Sequence, residues 1–376
     1  MKTNRCKIQD LFILSIISLF WVMVHKIVIR ESEESLITTD ASMNTNTSKS
    51  KCMLNVSVLK NNRLNIACGE DQFISVIKSV CHTQLGNQLS SYAALFYFKH
   101  KYGFNAFIDP IQTKHISEVM DTRSMKIQSL DFHIPKCCGK NSKLPKWESV
   151  GSDGGGRLFN QFIDNIDKYR YNHLIDLGTH IVPIYLFKDI IPQLKQEFKI
   201  KKHFLFHARK ILHRLRNKKK ETIFVGVHAR RGDHLHAWRE KFPNSIIGRY
   251  EGKYFNHAIE MLRQKYNSNV TNVVFLATSD NYGWIKQTLN NPGDIFFPKE
   301  LISVPKSFSP GLDLALLSLC HHSIIDYGTF GIWGALLTGG DIVLPGGYSE
   351  EQTPDMDWWG SSGMENLIFI NVSSNL

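Results

Sequence analysis

The sequence predicts an α/β fold with two Rossmann-like domains, each built around a parallel β-sheet. Short apolar runs, which are typical of buried parallel strands, alternate with stretches whose apolar residues recur at helical spacing. Several of these runs end abruptly in polar residues, and open α/β sheets bind ligands beyond the carboxyl ends of their strands. About 300 residues follow the polar N-terminal region, which is more than one usual domain holds, so we expect two domains.

The N-terminal region predicts a membrane anchor followed by a stem. Residues 11–29 are almost entirely apolar and are just long enough to cross a bilayer as a helix. Because basic residues precede them, residues 1–10 form a predicted cytoplasmic tail and residues 11–29 a transmembrane signal anchor. A cleaved signal peptide is the alternative, although no small-residue cleavage site follows the apolar run. Residues 30–65 are rich in Ser, Thr and Asn and predict a flexible stem.

This orientation predicts a type II protein whose C-terminal bulk lies in the secretory lumen. Of the seven cysteines, six follow the anchor, an even number that permits disulfides without giving their pairing. The tripeptide pattern N-x-S/T marks four predicted N-glycosylation sites: Asn46, Asn55, Asn269 and Asn371.

The net charge of +11 raises the question of a nucleic-acid partner. Much of this charge lies in residues 201–220, which contain no acidic residue but whose apolar residues recur at helical spacing. The pattern predicts an amphipathic helix that packs on a core and exposes a charged face to solvent. Attraction of anionic lipid or acidic glycan stays open, whereas a lumenal location argues against nucleic acid.

The N-terminal domain is predicted over residues 66–205, and its clearest helix runs from Leu89 to His100. A loop that contains Gly86 and Asn87 precedes this helix. Backbone N–H groups at the start of a helix attract anions, so both residues are candidates for an anion site. An ordinary helix cap provided by Asn87 is the alternative.

The C-terminal domain, predicted over residues 206–376, repeats a pattern of strand, polar loop and helix. Its predicted strands are Ile223–Val227, Val273–Ala277, Ser323–Ile325 and Ile342–Leu344. Its clearest predicted helices are Tyr254–Tyr266, Leu312–Leu319 and Ile332–Leu337. Because parallel strands end at one edge of their sheet, the polar residues that follow them converge into the outline of a nucleotide pocket.

The first of these strands ends in His228, Arg230, Arg231 and Asp233. Two adjacent arginines suit a doubly charged anion such as a diphosphate, because guanidinium groups pair with phosphate oxygens in a fixed geometry. A structural ion pair between one arginine and Asp233 is an alternative, and so is an Arg-Gly-Asp adhesion tripeptide. The neighbouring histidines lack the Cys or carboxylate partners that complete a ligand set, so no metal site is predicted.

The later strand ends supply further candidates. Asp280, which follows Ser279, is suited to the N1–H and amino donors of guanine, with N-capping of the next helix as the alternative. Thr329 and the backbone N–H of Phe330 lie at the start of a predicted helix, where phosphate oxygens bind. Gly328 lies in the loop before this helix, and the ring of Phe330 is expected to belong to the core.

Three segments resemble the signature segments of glycosyltransferase family 11 in order and spacing: His228–Asp233, Ala277–Asp280 and Gly328–Gly331. Leu85–Gln88 resembles the N-terminal signature of the same family. The resemblance extends over about residues 81–345, and the sequence between the motifs resembles the nematode branch of the family.

The resemblance implies the fold and activity of the α1,2-fucosyltransferases of the blood-group H type. These are type II Golgi membrane proteins with a GT-B-like fold, whose active site lies in the cleft between two Rossmann-like domains. Such a chain transfers L-fucose from GDP-fucose to a glycan hydroxyl, on galactose of a glycoprotein or glycolipid, with inversion and without an essential metal or other cofactor. A protein O-fucosyltransferase and a non-catalytic relative that binds glycan or nucleotide are the alternatives.

The resemblance also implies roles for individual residues. Arg230 matches the arginine that acts on the donor diphosphate, and Asp280 matches a position associated with guanine recognition. Asp233 is the first candidate for a base that deprotonates the acceptor, followed by Glu240. One departure from the family pattern, His82-Thr-Gln in place of a glycine-arginine pair, leaves the role of the loop before Gly86 open. The complete predicted donor-binding set is His228, Arg230, Arg231, Ser279, Asp280, Gly328, Thr329, Phe330, Gly86 and Asn87.

Overall fold

Two β-sheets made only of parallel strands dominate the structure and confirm the α/β class. The computed structural model describes residues 55–58, 64–67, 74–81, 83–129, 146–151, 156–179, 184–232, 252–302, 309–346, 359 and 362–371. The predicted cytoplasmic tail and signal anchor lie outside these residues. Within the described part of the chain, no helix is both long and apolar enough to cross a membrane.

The last part of the predicted stem forms regular structure. Strands β1 (Asn55–Val58) and β2 (Leu64–Ala67) pair in antiparallel register, with Asn55 opposite Ala67. Residues 55–58 and 64–65 of the predicted stem therefore lie in strands. In both strands polar and apolar residues alternate, which suits a β-ribbon, and the overall Ser, Thr and Asn content concealed this local pattern.

The N-terminal sheet has five strands in the order β5-β4-β3-β7-β6. Its strands are β3 (Val76–Ser79), β4 (Asn105–Ile108), β5 (Gln128–Ser129), β6 (Trp147–Ser149) and β7 (Leu174–Asp176). Its helices are α1 (Leu85–Tyr102), α2 (Pro110–Val119), α3 (Arg157–Asp164), α4 (Ile184–Phe187) and α5 (Ile191–Glu197). Short 3₁₀ turns occur at Thr122–Ser124, Ile166–Tyr169 and Lys188–Ile190.

Helix α1 begins four residues earlier than the apolar spacing predicts. Gln84 is the extended N-cap residue, so Gly86 and Asn87 lie in the first helical turn instead of in a preceding loop. The helix ends at Gly103, whose φ of 75° is a left-handed conformation that glycine adopts without a steric cost. The apolar spacing did not indicate this start, because the first turn contains polar residues and the periodicity of apolar residues marks only the buried face of a helix.

The C-terminal sheet has six strands in the order β10-β9-β8-β11-β12-β13. Counted from the first strand of this half, the order is 3-2-1-4-5-6, which is that of a Rossmann fold. The four predicted strands are confirmed, each with slightly wider bounds. The strands are β8 (Glu221–Ala229), β9 (Thr271–Ser279), β10 (Ile295–Phe296), β11 (His322–Ile325), β12 (Ile342–Gly346) and β13 (Leu367–Asn371).

The predicted helices of this half are also confirmed. Helix α6 (Lys202–Leu215) connects the two halves and is followed by α7 (Lys253–Tyr266), α8 (Tyr282–Thr288), α9 (Pro298–Leu301), α10 (Ser309–Ser318) and α11 (Thr329–Thr338). Helix α6 buries Phe204, Ala208, Ile211 and Leu212, as its amphipathic pattern predicts. The boundary that we expected between residues 205 and 206 falls inside this helix.

The two halves share one hydrophobic core within a compact unit that spans residues 51–376. The indole ring of Trp333 in α11 lies 5.6 Å from the ring of Phe187 and 5.0 Å from that of Phe198, both from the N-terminal half. The indole N–H donates to the hydroxyl of Ser90 in α1 at 2.9 Å. Helices α1 and α11 are therefore fixed against each other by apolar and polar contacts.

The structure describes two of the cysteines and three of the four predicted N-glycosylation sites. Cys81 and Cys320 are buried free thiols, and burial raises the pKa of Cys320 well above its ordinary value. The other four cysteines that follow the predicted anchor lie outside the described residues. Asn269 is exposed between α7 and β9, Asn55 lies in β1, and Asn371 ends β13, whereas Asn46 lies outside the described residues.

Candidate functional site

The candidate site lies at the carboxyl ends of β8, β9 and β11. These three strands are neighbours in the sheet, with Ala229 opposite Ser279 and His228 opposite Ile325. The chain turns in opposite directions from β8 and β11, and open α/β sheets bind ligands in the crevice at such a reversal of strand order, the switch point. The polar residues that follow the three strands meet at this switch point, as the sequence predicts.

Asp280, at the end of β9, holds the loop that follows β8. Its carboxylate accepts hydrogen bonds from the backbone N–H groups of Arg231 at 2.7 Å and Gly232 at 2.8 Å, and from the guanidinium group of Arg230. A Cβ atom on Gly232 would lie 2.7 Å from Oδ2 of Asp280, so only glycine lets the loop approach this closely. The alternative role of Asp280 as a helix cap is wrong, because the side chain of Asn281 caps α8.

Asp326, at the end of β11, is a site residue that sequence analysis missed. Both of its carboxylate oxygens accept from the backbone N–H of Arg230, at 2.9 and 3.1 Å, and the side chain is buried. Burial raises its pKa well above the ordinary value, while backbone N–H donors and the nearby charge of Arg231 counteract part of that rise. The sequence pattern could have identified Asp326, because this aspartate follows the apolar run Ile324–Ile325 just as Asp280 follows β9.

The two adjacent arginines have different surroundings. The guanidinium carbon of Arg231 lies 4.0 Å from the centroid of the Trp284 ring, and the residue is buried. The side chain of Arg230 keeps 22% of its surface exposed and pairs with Asp280. Of the two predicted phosphate ligands, Arg230 is thus the one that lies at the surface of the crevice, while Arg231 packs against α8.

His228 is neutral and packs beneath the first turn of α11. Burial lowers the pKa of His228 to about 4, so its imidazole carries no charge at neutral pH. Its ring lies 5.2 Å from that of Phe330, and Nδ1 has no hydrogen-bond partner among the described residues. A Cβ atom on Gly331 would lie 2.8 Å from Nδ1, which explains the small residue above the ring.

The first turns of α1 and α11 meet beside Arg230. The hydroxyl of Thr329 lies 2.7 Å from Oδ1 of Asn87, and the amide group of Asn87 donates to Thr83 at 3.0 Å. A Cβ atom on Gly86 would lie only 2.5 Å from the backbone nitrogen of Phe330. The alternative role of Asn87 as a helix cap is wrong, because its side chain bridges the two helices instead.

Gly328 and Ser279 have structural contacts. Gly328 adopts a φ of 99° directly before α11, and a Cβ atom there would lie 3.3 Å from the Cγ atom of Arg230. The hydroxyl of Ser279 is buried and accepts from the backbone N–H of Asn281 at 3.0 Å, so it supports the start of α8. Asp233 and Glu240, the two candidate bases, lie outside the described residues.

The arrangement suits an anion with more than one charge. One guanidinium group and the amino-terminal ends of two helices converge at the switch point, and each attracts negative charge. In the described part of the chain, His, Cys, Asp and Glu side chains form no group of three placed to hold a metal ion. Arg230 and the backbone N–H groups at the two helix starts supply positive charge at the switch point.

Comparisons with known proteins point to one family. The family described as glycosyl transferase family 11 matches residues 156–351. Galactoside alpha-(1,2)-fucosyltransferase 2 of Rattus norvegicus is 28% identical over 275 residues, covering 72% of this chain and 69% of the relative. Galactoside 2-alpha-L-fucosyltransferase Sec1 of Mus musculus is 27% identical over 275 residues, covering 72% of this chain and 67% of the relative.

Two solved structures align with this chain at low sequence identity. A mutant of Arabidopsis thaliana FUT1 in complex with GDP has a TM-score of 0.48 at 14% identity, covering 77% of this chain and 73% of that one. NodZ alpha-1,6-fucosyltransferase soaked with GDP-fucose has a TM-score of 0.43 at 14% identity, covering 70% of this chain and 92% of that one.

Proposed function

Because the chain belongs to glycosyl transferase family 11, we propose that it transfers L-fucose from GDP-fucose to galactose of a glycan in α1,2 linkage. The observation that carries the proposal is the convergence of Arg230 with the first turns of α1 and α11 at the switch point. The two relatives are named for galactoside α1,2-fucosyl transfer, which supports the linkage and the acceptor sugar.

The reaction requires stabilisation of a departing nucleotide. As the bond between fucose C1 and the β-phosphate oxygen breaks, negative charge grows on the phosphate and positive charge on the sugar. In our proposal, Arg230 and the N–H groups of α11 stabilise the phosphate charge, and no metal is required. A charge-assisted hydrogen bond contributes about 1.5–3 kcal/mol, so one or two such bonds account for roughly a 10²-fold effect on rate.

Asp280 links donor binding to the position of Arg230. Its carboxylate already accepts from Arg230, Arg231 and Gly232, and a carboxylate has about four acceptor positions. Guanine presents two donors, N1–H and the amino group, so Asp280 cannot accept from both while it holds Arg230. We propose that the diphosphate takes Arg230 as its partner and thereby releases Asp280 to accept from guanine, while the loop N–H groups stay bound.

The acceptor hydroxyl attacks fucose C1 from the face opposite to GDP, which inverts the configuration of that carbon. Asp233 is our first candidate for the base that deprotonates this hydroxyl, and Glu240 is the second, because both follow Arg230 and Arg231 in the sequence. Asp326 is buried and touches the backbone of Arg230, so we assign it the positioning of the arginine and not proton transfer.

We propose that the protein is a single-pass type II protein of the Golgi membrane with a lumenal catalytic part. The apolar residues 11–29, with basic residues before them, support the anchor, and the exposed sequon at Asn269 supports the lumenal side. Alkaline extraction of membranes tests the anchor. A mobility shift after removal of N-glycans, smaller in Asn269→Gln than in the unchanged chain, tests the lumenal side. Extraction into the soluble fraction would contradict the anchor.

The activity is tested with the full-length chain, labelled GDP-fucose and an array of terminal glycans. The expected result is labelled product on galactose-terminated glycans, released again by a fucosidase specific for α1,2 linkages. Label on a protein hydroxyl instead of a glycan would favour a protein O-fucosyltransferase. Thermal protection by GDP without transfer to any acceptor would favour a non-catalytic relative.

A further inference from the structure

The positive charge of the chain is concentrated in one segment. We define the acid-free segment as residues 198–220, which hold ten of the 45 Lys and Arg residues and none of the 34 Asp and Glu residues. The rest of the chain therefore has 35 basic and 34 acidic residues and is close to neutral. Charge that serves general solubility would be dispersed, so this distribution indicates a local role.

The structure places most of this charge in solvent on and beside α6. The apolar face of the helix is buried, and Phe204 packs against Gly311 at the start of α10. Arg214 donates to a backbone carbonyl oxygen, and so does Lys220. Six other side chains are exposed and have no ion pair or hydrogen bond with the described part of the chain: Lys202, Arg209, Lys210, Arg216, Lys218 and Lys219.

These cations form an elongated patch. Lys202 and Arg216 are 14 positions apart, which corresponds to about 21 Å along a helix. The end of the segment leads into the first residue of β8, whereas Arg230 follows the last residue of that nine-residue strand. A strand of this length spans about 30 Å, so the end of the patch is remote from the donor site.

Like charges this close repel one another unless a counter-charge neutralises them, and no carboxylate of the described chain does so. A ligand that matches this patch is therefore anionic and elongated. A lipid bilayer can be anionic, but a helix that binds at a bilayer surface does so by inserting its apolar face. Here that face is already buried in the core, and Phe206 is the one large apolar side chain of α6 that is exposed, at 62%.

We propose that α6 and the residues after it bind a linear anionic polysaccharide that carries sulfate or carboxylate groups. The arginines pair with these planar or tetrahedral anions through two N–H groups each, and the lysines add point charges along the row. Phe206 offers an apolar surface on which a sugar ring rests. The patch is a second glycan-binding surface, separate from the donor site, and its existence does not depend on the proposed transferase activity.

The test measures binding of heparin oligosaccharide to the full-length chain in nonionic detergent. The patch variant is Arg209→Gln/Lys210→Gln/Arg216→Gln, which changes only exposed side chains. The control variant Lys114→Gln/Arg157→Gln/Arg170→Gln removes the same two arginines and one lysine from exposed positions of the N-terminal half. A second patch variant, Lys218→Gln/Lys219→Gln, lies outside the helix and keeps the test valid if the first variant unfolds.

We expect heparin to bind the unchanged chain in a salt-dependent manner. Both patch variants should weaken binding, by about tenfold or more for the triple variant, because each lost cation removes a charge-assisted contact. The control should bind within about twofold of the unchanged chain, and neutral dextran should not bind. Equal loss in patch and control variants would show an effect of net charge alone and overturn the proposal. Absence of heparin binding, or patch-dependent binding to phosphatidylserine vesicles alone, would also overturn it.

Discussion

Gly86 sets the distance between the first turns of α1 and α11, so its replacement by alanine should push the two helices apart. A Cβ atom there would lie 2.5 Å from the nitrogen of Phe330, 2.5 Å from the hydroxyl of Thr329 and 2.6 Å from the carbonyl carbon of Thr329. Two of these atoms are backbone, so no side-chain rotation relieves the contact. The substitution also threatens the hydrogen bond between Thr329 and Asn87.

The expected change in stability combines one favourable and two unfavourable contributions. Replacement of a helical glycine by alanine favours the helix by about 0.5–1 kcal/mol. Overpacking costs about 1–3 kcal/mol, and a lost hydrogen bond costs roughly 0.5–1.5 kcal/mol. The net loss is therefore about 0.5–4 kcal/mol, the upper value applying where both penalties are large. Because the displaced turns belong to the proposed phosphate site, the affinity for GDP should fall as well.

Gly283→Ala provides a matched control. Gly283 is also a helical glycine, but a Cβ atom there would meet only Oδ1 of Asn281, at 3.9 Å. This variant should be as stable as the unchanged chain or slightly more stable. Thermal unfolding and calorimetric titration with GDP measure both effects. If Gly86→Ala matches Gly283→Ala in melting temperature and in GDP affinity, the close contact between the helices does not exist as described.

Three further predictions concern the switch point. Asp326→Ala leaves the backbone N–H of Arg230 without its acceptor, so we expect a higher KM for GDP-fucose and a stability loss of about 1–3 kcal/mol. Asp326→Asn keeps one acceptor oxygen, so both effects should be smaller. Equal steady-state kinetics for the two variants would contradict the positioning role of Asp326. His228 has a folded-state pKa of about 4 against an ordinary 6.5, so its contribution of about 3 kcal/mol is fully present above pH 6.5 and is lost as the pH falls from 6.5 toward 4. Melting temperatures measured between pH 7 and pH 4 should therefore fall less steeply in His228→Asn than in the unchanged chain, and parallel curves would contradict a buried neutral imidazole. Asn281→Ala removes the cap of α8 and should lower stability by about 1 kcal/mol, whereas unchanged thermal unfolding would show that the cap contributes nothing.

The C-terminal half was predictable because its central strands are buried on both faces. Residues such as Phe224, Val225 and Val227 are fully buried, and continuous burial yields the continuous apolar runs that mark parallel strands. Strand order followed less directly from the sequence, since periodicity does not reveal which strands pair. The position of Arg230 could be predicted because polar residues directly after a parallel strand must lie at the carboxyl edge of the sheet.

Contacts between distant residues explain what the sequence did not reveal. The requirement for glycine at position 86 arises from backbone atoms of Phe330, 244 residues away, and no local pattern records such an approach. The different surroundings of Arg230 and Arg231 likewise depend on Asp280 and Trp284 from later elements. Asp326 was overlooked because a single aspartate after a short strand has many structural uses, and its hydrogen bond to Arg230 exists only in the folded sheet.

In the proposed reaction, the guanidinium group of Arg230 stabilises the departing diphosphate of GDP-fucose. The most direct measurement is the rate of fucosyl transfer by Arg230→Lys, which keeps the charge but loses the planar arrangement of N–H donors. We predict a fall in kcat/KM of about 10²-fold or more with little change in melting temperature. Transfer within a few-fold of the unchanged chain by a folded Arg230→Lys or Arg230→Ala protein would contradict it.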